Sequence, residues 1–160
     1  MRIVALDIAT KTGIVILDGT QVTVYYIEGS PTYQMGKILQ EITIDTKVVV
    51  EDFTYFNYRN PETTAKLNQR IGYIIWRLIE DGIEVEKYNV NTVRKFLGVS
   101  GSRRKGEQKK LLNKRLRDAT GLKLTLDESD AIALLLYNVM DKISDLHKYT
   151  FVKKKLMREN

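Results

Sequence analysis

The most constraining feature of this chain is a short apolar strand that ends in a charge. Ile3-Val4-Ala5-Leu6 is an unbroken apolar run, and Asp7 follows at once. A strand without polar alternation has protein on both faces, so it belongs in the middle of a sheet covered by helices on either side. Gly13 to Leu17 and Gln21 to Ile27 are rich in β-branched and aromatic residues. They are joined through Asp18-Gly19, a hairpin turn signal. Lys47 to Val50 predicts a fourth strand running into Glu51, and Ile83 to Tyr88 a fifth. Helical spacing predicts a helix over residues 32–45 and a second from the cap Asn60 and Pro61 to Asp81-Gly82. A third, capped by Asn91, covers Thr92 to Leu97, a basic one stops at Gly121, and a last one runs from Asp127 past Met140. Strands first, then helices alternating with strands, predict the α/β class: one domain with a five-stranded mixed sheet flanked by helices.

Composition narrows the chemistry. The chain has no cysteine, which rules out disulfides, thiolate metal sites and cysteine nucleophiles and fits a reducing compartment. The apolar stretch before Asp7 is too short for a signal-peptide core. The longest one elsewhere, Ala131 to Tyr137, is far below the ~20 residues of a membrane span. A cytoplasmic protein without a membrane partner is expected. Lys and Arg total 26 against 20 acids, a net of +6. Between Arg94 and Arg117 ten basic residues face one acid, Glu107, a net of +9, so the rest of the chain carries −3. Such concentration suits a polyphosphate partner, although a solvated helix face has the same composition.

Four carboxylates sit where strands or helices begin or end. Asp7 lies just past the buried strand, Glu51 ends the fourth strand, and Asp127 and Asp130 share the first turn of a helix. Ends of adjacent central strands meet at one crevice in an open α/β sheet. A helix bringing two more carboxylates there makes an acidic cluster, which hard divalent cations such as Mg²⁺ relieve through oxygen ligands. Two such cations can activate water and stabilise the leaving oxygen in phosphodiester cleavage. Each acid also has a plainer reading. Asp7 and Glu51 suit strand ends, and Asp127 suits a helix dipole, while Thr125 and Glu128 fit a capping box. Asp130, followed at once by Ala131 to Leu136, has no capping role.

Aromatic and basic residues surround these acids. Phe53, Tyr55, Phe56 and Tyr58 crowd the stretch after Glu51, where rings can stack on unpaired bases or pack as an ordinary strand or loop. Arg103, Arg104, Lys105, Lys109 and Lys110 are candidate phosphate contacts. The single histidine, His147, lies near the tail and is not expected to be catalytic.

The series Leu6-Asp7-Ile8-Ala9-Thr10-Lys11-Thr12-Gly13, then Val50-Glu51, then Asp127-Glu128-Ser129-Asp130-Ala131 resembles the motifs of the RuvC family, Holliday junction resolvases on the RNase H-like fold. Between them, Asn60-Pro61-Glu62-Thr63-Thr64-Ala65-Lys66-Leu67 with Arg70-Ile71-Gly72 is similar to a further family stretch. Asn91-Thr92-Val93-Arg94-Lys95 and Gly101 to Gln108 resemble its basic helix and loop. The likeness covers about residues 1–140. It departs at Asp7-Ile8-Ala9, where the family usually has Asp-Pro-Gly. It departs again between Glu51 and Asn60, about two residues longer here, so that Phe56, Phe53 or Thr54 can each match the family's junction aromatic.

The resemblance implies a nuclease domain, taken here as residues 1–145; the remaining 146–160, with Lys153-Lys154-Lys155, reads as a loosely held basic tail. The resemblance also implies a homodimer on four-way or other branched DNA and two Mg²⁺ per site, with Mn²⁺ as substitute, held by Asp7, Glu51, Asp127 and Asp130. Water would attack phosphorus in line and leave a 5′-phosphate; no small-molecule cofactor takes part. Lys105 would contact a phosphate near the scissile bond, and Arg94 and Lys95 would join the DNA-binding set. The helix from Asn60 carries Ile74, Ile75, Trp76, Leu78 and Ile79, a wider apolar face than one buried stripe, which a dimer contact would use. Three other readings remain: an RNase H-like or YqgF-type nuclease on RNA or RNA–DNA hybrid, a non-catalytic branched-DNA module, and an actin-like phosphate loop at Asp7 to Gly13.

Overall fold

The computed structural model describes residues 1–52, 60–101 and 104–160, with the side chain of residue 105 excepted. Three antiparallel strands open it: β1 (Arg2–Asp7), β2 (Lys11–Asp18) and β3 (Gln21–Glu28). Helix α1 (Pro31–Gln40) leads to β4 (Thr46–Glu51), parallel to β1, and α2 (Pro61–Glu80) leads to β5 (Glu84–Tyr88), parallel to β4. Helices α3 (Val90–Phe96), α4 (Lys105–Thr120) and α5 (Leu126–Val139) follow. A 3₁₀ turn over Ile143–Lys148 ends at β6 (Thr150–Lys153) and β7 (Met157–Arg158). The strand order is β5-β4-β1-β2-β3-β6, with β7 also on β3.

The period-2 rule explains both the apolar run and the placement of its aspartate. Val4 and Leu6 pack with Ile14, Ile16, Val48 and Val50 beneath Met35 of α1 and Ile74 and Leu78 of α2. Ile3 and Ala5 point the other way, with Val15, Leu17 and Val49, into a layer made by α3, α4 and the run Ala131 to Leu136 of α5. Strand β1 is buried on both faces because helices cover both. By the same alternation Asp7 continues the Ile3–Ala5 row and Glu51 the Val49 row, so both carboxylates face the α5 layer. Leu6 is in register with Val50 and Asp7 with Gly13, which brings the three strand ends together.

Gly13 fixes how close α5 comes. A Cβ there would lie 2.3 Å from the Asp127 carbonyl oxygen and 2.8 Å from the Glu128 nitrogen. The first turn of α5 therefore rests on bare strand backbone beside Asp7.

Several expectations need correction. The sheet has seven strands among the described residues, not five, because the tail is not loose: β6 and β7 pair in parallel with β3. Lys153 of β6 donates to Glu128, whose side chain is wholly buried, at 3.0 Å, and to the Lys123 carbonyl. Helix α1 stops at Gln40 instead of residue 45, because Ile42, Thr43 and Ile44 are β-branched and Thr43 and Thr46 close a hydrogen-bonded turn. Asn89, not Asn91, caps α3, accepting from the backbone of Asn91 and Thr92. Helix α5 ends at Val139, and Met140 takes a left-handed conformation (φ 60°) as its cap.

Replacing Gly13 with Ala should push α5 off the strand. Overpacking against backbone should cost about 1–3 kcal/mol, read as a lower midpoint in urea. Lys153→Met should leave the buried Glu128 carboxylate uncompensated. With the lysine partly exposed, a loss of about 2 kcal/mol and a Tm drop of roughly 4–8 °C are expected by calorimetry.

Candidate active site

A cleft of about 570 Å³ opens where β1 and β4 end and α5 begins. Asp7, Glu51, Asp127 and Asp130 all line it, together with Asn89, Arg94 and Lys109. Asp7 is 9% exposed and Asp130 8%, while Asp127 and Glu51 are half-buried. One Asp7 carboxylate oxygen, Oδ2, is buried without a hydrogen-bond partner.

Asp7 stands at the mouth of a tightly braced turn. Thr12 Oγ1 donates to the Ala9 carbonyl (2.9 Å) and accepts from the Ala9 amide (3.2 Å). The fully buried Gln34 donates to the carbonyls of Ala9, Thr10 and Ile27 at 2.9–3.0 Å. Arg70 of α2 in turn donates to Gln34 Oε1 at 2.8 Å and to the Gly29 carbonyl at 2.7 Å. These side chains hold the Ile8-Ala9-Thr10 turn without the usual Pro-Gly pair.

The other two aspartates are presented by the start of α5. Thr125 and Glu128 form the expected capping box, at 2.9 and 3.1 Å. Asn113 of α4 donates to the carbonyls of Leu124 and Thr125 and to Ser129 Oγ. Position 127 thus follows the cap, as its dipole reading required, and also faces the cleft.

Cationic groups share the cluster. Lys109 Nζ lies 3.1 Å from Asp130 and 3.7 Å from Asp127. Arg94, also expected at DNA, is 6% exposed and lies 3.9 Å from Asp130, with a buried Nε that has no partner. Burial raises the Asp7 carboxyl well above its ordinary value. The charges of Asp130 and Asp127 and a hydrogen-bonding contact with Asp127 add to this, and Lys109 opposes it. Burial also raises Asp130, against the pull of Lys109 and Arg94. Burial disfavours the Lys109 ammonium, yet Asp130, Asp7 and Asp127 outweigh it and hold that group above its ordinary value.

The donor set suits a hard divalent cation: carboxylates only, one oxygen of them orphaned, and native charges that repel. Among the described residues, no three acids or histidines are already grouped as a cation's ligands would be. Lys109 stands within ion-pair distance of both Asp127 and Asp130.

The remaining sequence candidates fall in three groups. Lys95, Arg104 and Lys110 are exposed. Phe53, Tyr55, Phe56, Tyr58 and Arg103, along with the side chain of Lys105, lie outside the described residues; Lys105 itself opens α4. His147 is exposed on the 3₁₀ turn, bonded to the Ser144 carbonyl, and does not line the cleft. The sequence reading missed Asp52, a fifth acid lining the cleft, although it directly follows Glu51. It also missed Gln34 and Asn113, which lie in helices with nothing local to mark them, and it quoted Arg70 only as part of a family stretch, without its bracing role.

Asp7 titrates above its ordinary value of 3.8 in the native state, so the native protein binds more protons than the unfolded chain above that pH. Stability of the metal-free protein should therefore fall as pH rises from about 3.8 through the raised native value. Asp7→Asn should remove that component and raise the metal-free Tm at neutral pH; calorimetry against pH checks both.

No curated protein sequence matches the chain. Solved structures that share its fold include two of one bacterial protein. Thermus thermophilus RuvC in complex with Holliday junction substrate is 21% identical, with a TM-score of 0.58, over 88% of this chain and 96% of that one. A second structure of Thermus thermophilus RuvC is 20% identical, with a TM-score of 0.55 and the same coverage. The family model described as crossover junction endodeoxyribonuclease RuvC matches residues 33–138, which include Glu51, Asp127 and Asp130. With that match over most of its length, the chain belongs to the RuvC family of crossover junction endodeoxyribonucleases.

Proposed function

We propose that this protein resolves Holliday junctions, and other branched DNA, by paired nicks that depend on divalent metal and leave 5′-phosphates. One observation carries the reading: Asp7, Glu51, Asp127 and Asp130 line a single cleft, on a chain whose family cuts crossover junctions. A match to a RuvC solved with Holliday junction substrate supports the same substrate class.

In this reading Asp7, Glu51, Asp127 and Asp130 hold two Mg²⁺, with Mn²⁺ as substitute. Bound there, the cations supply the Lewis acidity that phosphodiester hydrolysis needs. The chain's own residues do the rest. The braced Ile8-Ala9-Thr10 turn and the α5 cap keep Asp7, Asp127 and Asp130 from swinging away from the phosphate. Lys105 contacts the phosphate next to the scissile bond. Lys95, Arg103, Arg104 and Lys110 take the flanking backbone, which makes binding steeply salt-dependent. Phe53, Tyr55, Phe56 and Tyr58 stack on bases unpaired at the branch. Arg94 is too buried for a primary DNA contact and serves as a counter-charge to Asp130.

A resolvase cuts two strands, so two sites are needed. Trp76 and Ile79 are 55% and 53% exposed on α2 while Ile74, Ile75 and Leu78 fill the core. That outward apolar stripe supports a homodimer through α2. Residues 1–145 form the nuclease unit, and the tail over 146–160 completes its sheet. No helix among the described residues is long and apolar enough to cross a membrane.

Asp7→Asn, Glu51→Gln and Asp130→Asn should each abolish cutting of a four-way junction while leaving binding intact. Losing one carboxylate should remove several kcal/mol, or roughly a thousandfold in rate. Near wild-type cleavage by any two of these variants would overturn the metal cluster. Lys105→Ala and Phe56→Ala should slow single-turnover cutting. An RNA–DNA hybrid run beside the junction separates a resolvase from an RNase H-like enzyme.

A further inference from the structure

Lys109 is set apart from the other basic residues of α4. Lys110 and Lys114 point to solvent, whereas Lys109 turns into the cleft and reaches both aspartates of α5. Its side chain is one-third exposed, so it sits at the opening and not in the core. Helix α4 is fixed on α5 independently, by Asn113 one turn further on and by Leu112 and Leu116 in the core. The lysine is thus not needed to dock the helix, and its long stem can swing without moving the backbone.

We propose that Lys109 is a tethered counter-ion exchanged for metal: its ammonium holds the aspartate pair when the site is metal-free, and divalent loading drives it outward to the DNA phosphate. The inference rests on the metal-dependent reading above. Two observations carry it. The ammonium already lies within 3.1 Å of Asp130 and 3.7 Å of Asp127, the two helix-borne aspartates. Asp7 Oδ2 is buried with no partner, a ligand atom that the lysine does not satisfy.

Charge balance gives the sequence of events. A divalent cation between these carboxylates repels an ammonium a few ångströms away, so the two compete for Asp127 and Asp130. The displaced ammonium, already one-third exposed, can turn to the cleft mouth, where an incoming phosphate supplies the anion it has lost. Metal and DNA therefore bind more tightly together than either alone, because the lysine leaves one partner only as it gains the other. No bond is made or broken in this exchange.

Calorimetric titration of Mn²⁺ into the full-length protein without DNA tests it, with wild type, Lys109→Gln and Lys109→Arg. Lys109→Gln should bind Mn²⁺ more tightly, roughly three- to tenfold given a partly exposed charge. It should also have a lower metal-free Tm, while Lys109→Arg stays near wild type on both readouts. In wild-type protein labelled with ¹³C at lysine Cε, the resonance missing from Lys109→Arg should move on adding Mg²⁺. That measurement stands even if Lys109→Gln fails to fold. Unchanged or weaker Mn²⁺ binding by Lys109→Gln, or a Lys109 resonance indifferent to Mg²⁺, overturns the proposal alone. Wild type that takes up no Mn²⁺ overturns it together with the metal-dependent function.

Discussion

Like charges crowded where two central strands end set the terms for this fold. Asp7, Asp127 and Asp130 repel one another, and burial strengthens the repulsion by thinning the water between them. A loosely built protein would relieve it by letting the groups drift apart. Here each escape is blocked by backbone: β1 and β4 lie in the middle of the sheet, and α5 rests on Gly13 with no side chain between. The cluster is tolerated because the apolar layers on both sheet faces are large and continuous, and because Lys109 and Arg94 offset part of the charge.

Much of this was legible in the sequence. A run such as Ile3 to Leu6 has one physical interpretation once its length is considered, and period-2 alternation then assigns Asp7 to a face. Asp130 was legible because no helix-capping role accounts for it. The capping box at Thr125 and Glu128 was readable from four residues, since capping is local.

What was hidden depends on contacts distant along the chain. Gln34 looks like an ordinary helix residue and Arg70 like one member of a motif, yet Gln34 braces a turn 24 positions earlier and Arg70 holds Gln34 across 36. The inward turn of Lys109 was unreadable because Lys109 and Lys110 differ only in which side of α4 they occupy, and the helix's apolar stripe is narrow. Asn89 and Asn91 are equally good caps two positions apart, and only the path of the chain leaving β5 chooses between them. The tail strands were missed because Thr150 to Lys153 is short and flanked by lysines, and its pairing partner lies more than a hundred residues earlier.

That tail also decides which sides of the molecule can recruit another chain. Without it, β3 would present eight residues of unpaired backbone, a ready template for foreign strands. Two short strands close that row in separate pieces, and their new rim carries Lys153, Lys154, Lys155 and Arg158. The opposite rim is β5, with Glu84, Glu86 and Lys87. Both margins are short and charged, a poor basis for amyloid-like stacking or edge-on growth. Strand-to-strand pairing between copies is thereby disfavoured at both margins of the sheet, whatever concentration the protein reaches.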